Sequence, residues 1–278
     1  MYPNTRPVKR FLQLFRLGNC LMGVIGLLVA AFIASGTGML DHWQHLLASG
    51  LGVALFIAAG NALNDYVDRE VDLVAHPERP IPSGRLQANS ALYASAALFT
   101  LSIICSLFLD PLSIFIFVAA LALMIGYELQ FKASGLLGNI VIAALTGALF
   151  LLGGAVVGSI GNTLAVAGMA ALATLGREIV KDIEDMEGDE GRLTLPMRIG
   201  TRRAGLIAAS FFILGPILSM QPVLAGVFGP AYLPLVLVAD AIFLYDSWLL
   251  FKDPQRAQRL AKVAMLIALL AFIAGGFR

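Results

Sequence analysis

Long apolar stretches recur along almost the whole sequence, and they constrain its fold more than any other feature. A helix that crosses the hydrocarbon core of a membrane needs about 17 to 25 such residues. Nine stretches approach or meet that length, at residues 19–35, 46–63, 91–109, 112–127, 138–157, 162–177, 205–220, 230–250 and 261–277. The sequence therefore predicts an all-α, polytopic membrane protein with nine transmembrane helices in one domain, residues 1–278.

The charge content supports this interpretation. Only 13% of the residues are charged, whereas a soluble domain carries about 25%. So few charges exclude soluble enzyme folds, disordered tails and nucleic-acid binders, because they cannot cover a water-exposed surface. The two cysteines, Cys20 and Cys105, lie in apolar runs and are predicted to pack as small hydrophobic residues rather than to form a disulfide scaffold.

The basic residues predict an orientation in the membrane. Lys and Arg near membrane spans concentrate on the cytoplasmic side. In a nine-span topology every Lys and Arg except Arg278 falls on the same side as the N-terminus. The N-terminus is therefore predicted to be cytoplasmic and the C-terminus outside the cell membrane. A cleaved signal peptide would also fit the outline of residues 1–35, but Arg16 and Asn19 of that segment belong to the site predicted below.

Most of the 18 acidic residues fall into two patches, each at the predicted cytoplasmic end of a span. Three aspartates in each patch repeat at i, i+3 and i+7: Asp65, Asp68 and Asp72 in the first, and Asp182, Asp185 and Asp189 in the second. On a continued helix such positions share one face. We expect the two patches to face each other across the bundle at the cytoplasmic surface.

Like charges aligned on one face repel, which predicts a bound cation. Oxygen ligands without nearby His or Cys favour a hard ion, and Mg²⁺ is the commonest one that shares its coordination shell with substrate phosphates. A single acidic cluster would be typical of a solvated loop. Two clusters with the same spacing favour a magnesium site, with Asp65, Asp68, Asp72, Asp182, Asp185 and Asp189 as the candidate ligands.

Each acidic patch is followed by a loop that contains Pro, Gly and Arg, and this repetition suggests a weak internal duplication. The first loop runs from Arg79 to Arg85. Its arginines are predicted to bind phosphate oxygens, because the planar guanidinium forms paired hydrogen bonds with them. Magnesium, basic loops and a long apolar bundle together predict a substrate with a diphosphate head and an apolar tail, such as a prenyl diphosphate.

The chemistry of such a substrate explains the remaining features. Metal ions assist departure of the diphosphate, and the allylic cation must be kept from water until an acceptor attacks it. An aromatic face, from Tyr127 or Tyr66, is predicted to stabilise this cation.

The segment Asn64-Asp65-Tyr66-Val67-Asp68-Arg69-Glu70-Val71-Asp72 resembles the NDxxDxxxD signature of the UbiA superfamily of intramembrane prenyltransferases. Residues 79–84 resemble that family's RPIxxG continuation, and residues 182–189 resemble its second Asp-rich motif. The resemblance implies a bundle around a central cavity that opens to the lipid, and Mg²⁺ held by Asn64, Asp68 and the aspartates of the second motif. Asn19 after Arg16, and Tyr127 with Lys132, also resemble family positions.

Within the superfamily, residues 177–189 look most like archaeal members that transfer a geranylgeranyl group to the free hydroxyl of geranylgeranylglyceryl phosphate. Such an acceptor carries its own phosphate, for which Arg177, Lys181, Arg202 and Arg203 are candidates. The implied partners are a prenyl diphosphate donor, a lipid-like phosphate acceptor and membrane lipids, and no protein or nucleic acid. An aromatic acceptor, such as a hydroxybenzoate, a naphthoate or a haem-type ring, is the alternative. A cation transporter is more remote, because it would place acids near the membrane midplane.

Overall fold

The computed structural model describes residues 7–186 and 193–277, and within these ranges all regular secondary structure is helical. The helices are α1 (Pro7–Phe15), α2 (Leu17–Ser35), α3 (Trp43–Val67), α4 (Asp72–Ala75), α5 (Ala88–Ser106), α6 (Pro111–Gly126), α7 (Leu136–Val156), α8 (Leu164–Glu184), α9 (Leu195–Ile199), α10 (Thr201–Ser219), α11 (Gln221–Leu224), α12 (Tyr232–Leu249) and α13 (Pro254–Gly276). Short 3₁₀ segments lie at Gly36–His42 and Ile160–Thr163, and a π-helical segment lies at Tyr127–Phe131.

Each of the nine predicted apolar stretches falls in one of the long helices, which confirms the all-α membrane fold. The first two stretches lie in one continuous helical segment, Leu17–Val67, because the residues between α2 and α3 form a 3₁₀ turn instead of an irregular loop. Counted in this way, the described part of the chain has eight helical segments long and apolar enough to cross a membrane. The chain is a multi-pass membrane protein.

Local sequence determines where two of the spanning helices begin. The carboxylate of Asp110 accepts hydrogen bonds from the backbone N–H groups of Leu112 and Ser113, and Pro111 occupies the first turn of α6. Asp253 caps α13 in the same way, with Pro254 next to it. An acidic N-cap followed by proline is favourable, because the cap satisfies an otherwise unpaired N–H and proline has none to satisfy.

The chain divides into two units. The first comprises Met1–Leu28 and Trp43–Leu129. In this unit α3 packs mainly against α5, and α1 packs on α3. A small buried cluster of Leu14, Ala62 and Ala91, with Tyr66 and Ile81 against it, joins α1 to α3 and to the loop that follows the first acidic motif. This cluster fixes the end of α1 beside that motif.

The second unit comprises Val29–His42 and Gln130–Arg278. In this unit α8 packs against α7 and α10, and α12 packs against α13. One core cluster includes Ile179 and Val180 of α8, Leu195 of α9 and Phe212 of α10. These contacts hold the end of α8, which carries the second acidic motif, against the short helix that follows it.

Candidate active site

The first acidic motif begins at the end of α3 and continues through one further helical turn. The N–H of Asp68 donates to the carbonyl of Asn64 at 2.9 Å, and the N–H of Asp72 donates to the carbonyl of Asp68 at 2.8 Å. These i to i−4 bonds keep the helical register beyond Val67, where α3 ends. The predicted common face of Asp65, Asp68 and Asp72 is therefore preserved.

Two of these aspartates are buried and paired with arginines. A terminal guanidinium nitrogen of Arg16 lies 2.5 Å from Oδ1 of Asp65, which is only 2% exposed. Arg79 Nη1 lies 2.6 Å from Oδ2 of Asp72 and 3.7 Å from Oδ1 of Asp65. The two carboxylates and the two guanidinium groups thus form one chain of alternating charge.

The pairing also bears on the expected repulsion among these aspartates. Asp65 and Asp72 already have counter-charges from the protein, in Arg16 and Arg79. Sequence spacing did not reveal the partner of Asp65, because Arg16 lies between α1 and α2, 49 residues earlier in the chain.

Arg16 has an unusual backbone conformation. Its φ of +49° makes it the one described non-glycine residue with positive φ, a region that costs an L-residue roughly 1–2 kcal/mol. The residue separates α1 from α2, and its carbonyl accepts from the N–H groups of Asn19 and Cys20. Asn19 itself is exposed. At this turn between α1 and α2, the Arg16 side chain contacts Asp65.

Arg85, a predicted phosphate-binding residue, forms hydrogen bonds to three other residues of the protein. Its guanidinium donates to Ser83 Oγ at 2.8 Å, to Gln13 Oε1 at 3.1 Å and to the carbonyl of Glu78. These bonds fasten the loop after the first motif to α1. In this structure Arg85 therefore organises the loop that carries Arg79.

Glu128, which the sequence did not single out, is a hydrogen-bond partner of Asn64. The side-chain N–H₂ of Asn64 lies 3.3 and 3.2 Å from the two carboxylate oxygens of Glu128, which is 4% exposed. Because its amino group points to Glu128, Asn64 keeps its amide oxygen for another partner. The signal in the sequence was one acidic residue inside an apolar run, next to Tyr127.

Glu128 and Tyr127 belong to the π-helical segment that follows α6. π-helical turns are rare and frequently occur at functional sites. Tyr127 and Lys132 are both half-buried. Tyr66, the other aromatic candidate, has the guanidinium of Arg69 4.9 Å from its ring centroid, so that one of its faces is already taken by a cation.

The second acidic motif begins in the last turn of α8. Asp182 Oδ2 accepts a 2.7 Å hydrogen bond from the side-chain amide of Asn139 on α7. Asp185 follows at the C-terminal end of α8 and is exposed. Asp189, the third predicted aspartate, lies outside the described residues. An asparagine therefore orients the Asp182 carboxylate, while in the first unit a carboxylate orients Asn64.

The basic residues near the second motif fall into two groups. Arg177 forms an ion pair with Glu178 within α8. Lys181, Arg202 and Arg203 are exposed. Of the four residues predicted for the acceptor phosphate, three thus have exposed side chains and one is held by a neighbouring carboxylate.

Gly135 brings the start of α7 next to the segment after the second motif. Its φ is +66°, and a Cβ placed there would lie 2.5 Å from the carbonyl oxygen of Leu193 and 3.1 Å from Cα of Thr194. Only glycine allows both the positive φ and this close approach. The contact supports Thr194, from which α9 begins.

The donor set is compatible with magnesium. In residues 7–186 and 193–277 no three His, Cys, Asp or Glu side chains are gathered as a ready metal cage. Mg²⁺ is usually held by one or two carboxylates together with waters and substrate phosphates, and not by a cage of protein ligands alone. The oriented amide oxygen of Asn64 and the oriented carboxylate of Asp182 are oxygen ligands of the required kind.

Comparison with known proteins identifies the family. The model of the UbiA prenyltransferase family matches residues 23–273. The digeranylgeranylglyceryl phosphate synthase of Methanosarcina mazei is 42% identical over 96% of this chain and 98% of its own length. The enzyme of the same name from Methanothermobacter thermautotrophicus is 39% identical over 95% of both chains.

Solved structures agree with this match. A digeranylgeranylglyceryl phosphate synthase structure superposes with a TM-score of 0.87 at 34% identity, covering 97% of this chain and 98% of that one. A UbiA homologue from Archaeoglobus fulgidus bound to DMAPP and Mg²⁺ has the same fold, with a TM-score of 0.69 at 18% identity over 96% of this chain and 98% of that one. The chain belongs to the UbiA prenyltransferase family and is an intramembrane prenyltransferase.

Proposed function

We propose that this protein transfers the geranylgeranyl group of geranylgeranyl diphosphate to the free hydroxyl of geranylgeranylglyceryl phosphate, forming an ether bond of an archaeal membrane lipid. The observation that carries this proposal is the full-length similarity, at about 40% identity, to proteins named digeranylgeranylglyceryl phosphate synthase. The product would be digeranylgeranylglyceryl phosphate, with diphosphate as the leaving group and a proton released from the acceptor hydroxyl.

We propose Asn64 and Asp68 in the first motif, and Asp182 and Asp185 in the second, as ligands of Mg²⁺ at the donor diphosphate. Bound Mg²⁺ supplies Lewis-acid stabilisation of the charge that develops on the leaving diphosphate. Two observations support the ligand set: Glu128 orients the Asn64 amide, and Asn139 orients the Asp182 carboxylate. Asp189 stays a predicted ligand of the second motif.

Asp65 and Asp72 are assigned a role different from that of metal ligands. Their burial and short ion pairs support a positioning role, in which they hold the guanidinium groups of Arg16 and Arg79. A guanidinium held by a carboxylate on one side keeps other N–H donors for diphosphate oxygens. Arg85 supports the same function indirectly, because it fastens the loop that carries Arg79.

The acceptor requires positive charge of its own. A phosphate on the acceptor adds negative charge close to the donor diphosphate, and Lys181, Arg202 and Arg203 are exposed cations of the second unit. We assign these residues, together with Arg177, to the acceptor phosphate, and we assign Lys132 to the donor diphosphate. An aromatic acceptor without a phosphate would not need this number of cations.

Tyr127 is the aromatic residue proposed to stabilise the allylic cation. Its half-buried position in the π-helical segment places it directly beside Glu128, the partner of Asn64. A ring face attracts a cation most strongly where water is absent. Tyr66 is less suitable, because Arg69 already covers one of its faces.

Acceptor choice tests the proposal. Purified protein with Mg²⁺ and labelled geranylgeranyl diphosphate is offered either geranylgeranylglyceryl phosphate or 4-hydroxybenzoate, and the labelled lipid product is quantified by chromatography. We expect transfer to the glycerol phosphate ether and none to the aromatic acid. The reverse preference would overturn the proposed acceptor while leaving the prenyltransferase family intact.

A further inference from the structure

A groove on the outer side of α12 and α13 has no part in the site described above. Its volume is about 670 Å³, within the range of about 300–1,000 Å³ that is typical of ligand pockets. Its apolar walls include Leu237, Ala241 and Ile242 of α12 and Leu260 of α13, and its polar lining consists of Tyr245 and Arg256. All these residues belong to the second unit.

The groove has an apolar end and a charged end. Leu237, Ala241 and Tyr245 follow one another at intervals of four residues, so the groove runs along about 12 Å of α12. A short loop joins α12 to α13, and Arg256 lies in the first turn of α13. Arg256 and Tyr245 therefore lie at the loop end, and Leu237 lies towards the opposite membrane surface.

The charged end has the composition of a membrane interface. The rings of Tyr245 and Trp248 lie 5.6 Å apart, and the ammonium group of Lys252 lies 3.9 Å from the centroid of Trp248. Both rings are about half exposed. Exposed Trp and Tyr are enriched where a membrane meets water, so the end of the groove at Tyr245 and Arg256 lies at lipid headgroup level.

The charges around this end favour an anion. Lys252, Arg256, Arg259 and Lys262 all lie in or near the first two turns of α13. The one acid among them, Asp253, accepts the backbone N–H of Arg256 as the helix cap. In the described part of the chain, no hydrogen bond or ion pair engages the guanidinium of Arg256.

We propose that the groove binds one anionic phospholipid of the surrounding membrane, with a hydrocarbon chain along Leu237, Ala241 and Ile242 and the phosphate at Arg256. Basic pockets between transmembrane helices are typical sites for anionic headgroups. Since α12 and α13 are both spanning helices, lipid is the molecule that surrounds this groove. The lipid site is independent of the proposed transfer reaction.

Native mass spectrometry of the purified, delipidated protein tests the proposal. Phosphatidylglycerol and phosphatidylcholine with identical chains are titrated separately, and the first bound lipid is quantified. We expect phosphatidylglycerol to bind about fivefold more tightly, the ratio expected from one cation near a charged headgroup. Arg256→Gln should abolish this preference, whereas Arg259→Gln, which makes the same charge change outside the groove lining, should keep it.

A second pair of variants tests the hydrocarbon chain. Ala241→Trp fills the groove without changing charge and should weaken the first binding event for both lipids. Leu237→Trp at the far end gives the same test if the first variant does not fold. Equal binding of the two lipids, or equal loss in Arg256→Gln and Arg259→Gln, would overturn the proposal. Displacement of phosphatidylglycerol by an equal concentration of glycerol phosphate would also overturn it, because the site would then bind free phosphate.

Discussion

At the residue scale, the pair of Arg16 and Asp65 shows how the first motif is stabilised. Removing one partner of a buried ion pair leaves an uncompensated charge, which costs about 3–5 kcal/mol in a fully buried setting. Arg16 is 32% exposed and Asp65 keeps Arg79 at 3.7 Å, so we expect a smaller cost. Arg16→Gln should lower the free energy of unfolding by about 2 kcal/mol, measured by thermal or denaturant unfolding in detergent.

The matched variant is the double substitution Arg16→Gln with Asp65→Asn. It removes both charges, so it should be more stable than Arg16→Gln alone. A double-mutant cycle, completed by Asp65→Asn as the second single variant, isolates this coupling. If the two single effects simply add, Arg16 and Asp65 do not interact in the folded protein, and the assigned role of Asp65 is wrong.

Local contacts of the first motif follow from the spacing of its residues, whereas its long-range contacts do not. The spacing of Asp65, Asp68 and Asp72 predicted their common helical face, and the backbone hydrogen bonds confirm it. The spacing did not predict that Arg16 and Arg79 neutralise two of them. Contacts such as Asn64 with Glu128 join residues 64 positions apart, and only the packing of separate helices brings them together.

At the element scale, Asp110 is the cap of α6 and gives a pH-dependent prediction. Burial raises the pKa of Asp110, but hydrogen bonds from the Ser113 hydroxyl and from the N–H groups of Ser113 and Leu112 outweigh it and hold this pKa below its usual value. A carboxylate with a lowered folded pKa stabilises the fold fully above its unfolded pKa of about 3.9. That stabilisation disappears as the pH falls through the folded pKa.

We therefore expect Asp110→Ala to lower the free energy of unfolding by about 1 kcal/mol at pH 7, and the difference from wild type to shrink below about pH 4. Thermal unfolding of wild type and variant at pH 7 and at pH 3 measures this difference. Asp41→Ala, at an exposed aspartate, is the control and should change the free energy of unfolding little at either pH. A difference that grows on acidification would contradict the capping role.

Gly135 gives a second prediction at this scale. Gly158 has a similar positive φ of +69°, but a Cβ placed there would meet nothing within 4 Å. Gly158→Ala should therefore lower the free energy of unfolding only by the strain of the left-handed backbone conformation, roughly 1–2 kcal/mol. Gly135→Ala adds a clash with the carbonyl oxygen of Leu193, so it should lower the free energy of unfolding clearly more. It should also lower the rate of prenyl transfer. Thermal midpoints and initial rates compare the two variants, and equal losses would show that the close approach does not matter.

Hydrophobic stretches predicted the long helices well, because nearly every residue of a spanning helix must be apolar. They did not predict α1, which contains polar residues such as the exposed Lys9 among its apolar ones, or the short helices α4, α9 and α11. These elements are too short or too mixed to give a strong hydropathy signal. The hydrophobic stretches also did not predict the 3₁₀ segment Gly36–His42. This segment joins the first two predicted spans into one continuous helical segment.

At the scale of the whole molecule, the distribution of basic residues predicts that the N-terminus and the active site are cytoplasmic and the C-terminus is outside. Single cysteines in a variant without Cys20 and Cys105 test this orientation. Gln255→Cys, next to the basic loop, should react with a membrane-impermeant maleimide only after the cells are opened. Gly161→Cys, between α7 and α8, should react in intact cells. The opposite pattern would invert the topology.

Carboxylates of both acidic motifs are proposed to support Mg²⁺-dependent departure of the diphosphate. The most direct measurement is the initial rate of diphosphate release from geranylgeranyl diphosphate, with acceptor and saturating Mg²⁺, for wild type, Asp68→Asn and Asp182→Asn, each shown by thermal unfolding to be folded. We predict that each substitution slows release by at least about a hundredfold, equivalent to about 2.7 kcal/mol of transition-state stabilisation. Near-normal rates in both folded variants would contradict the claim.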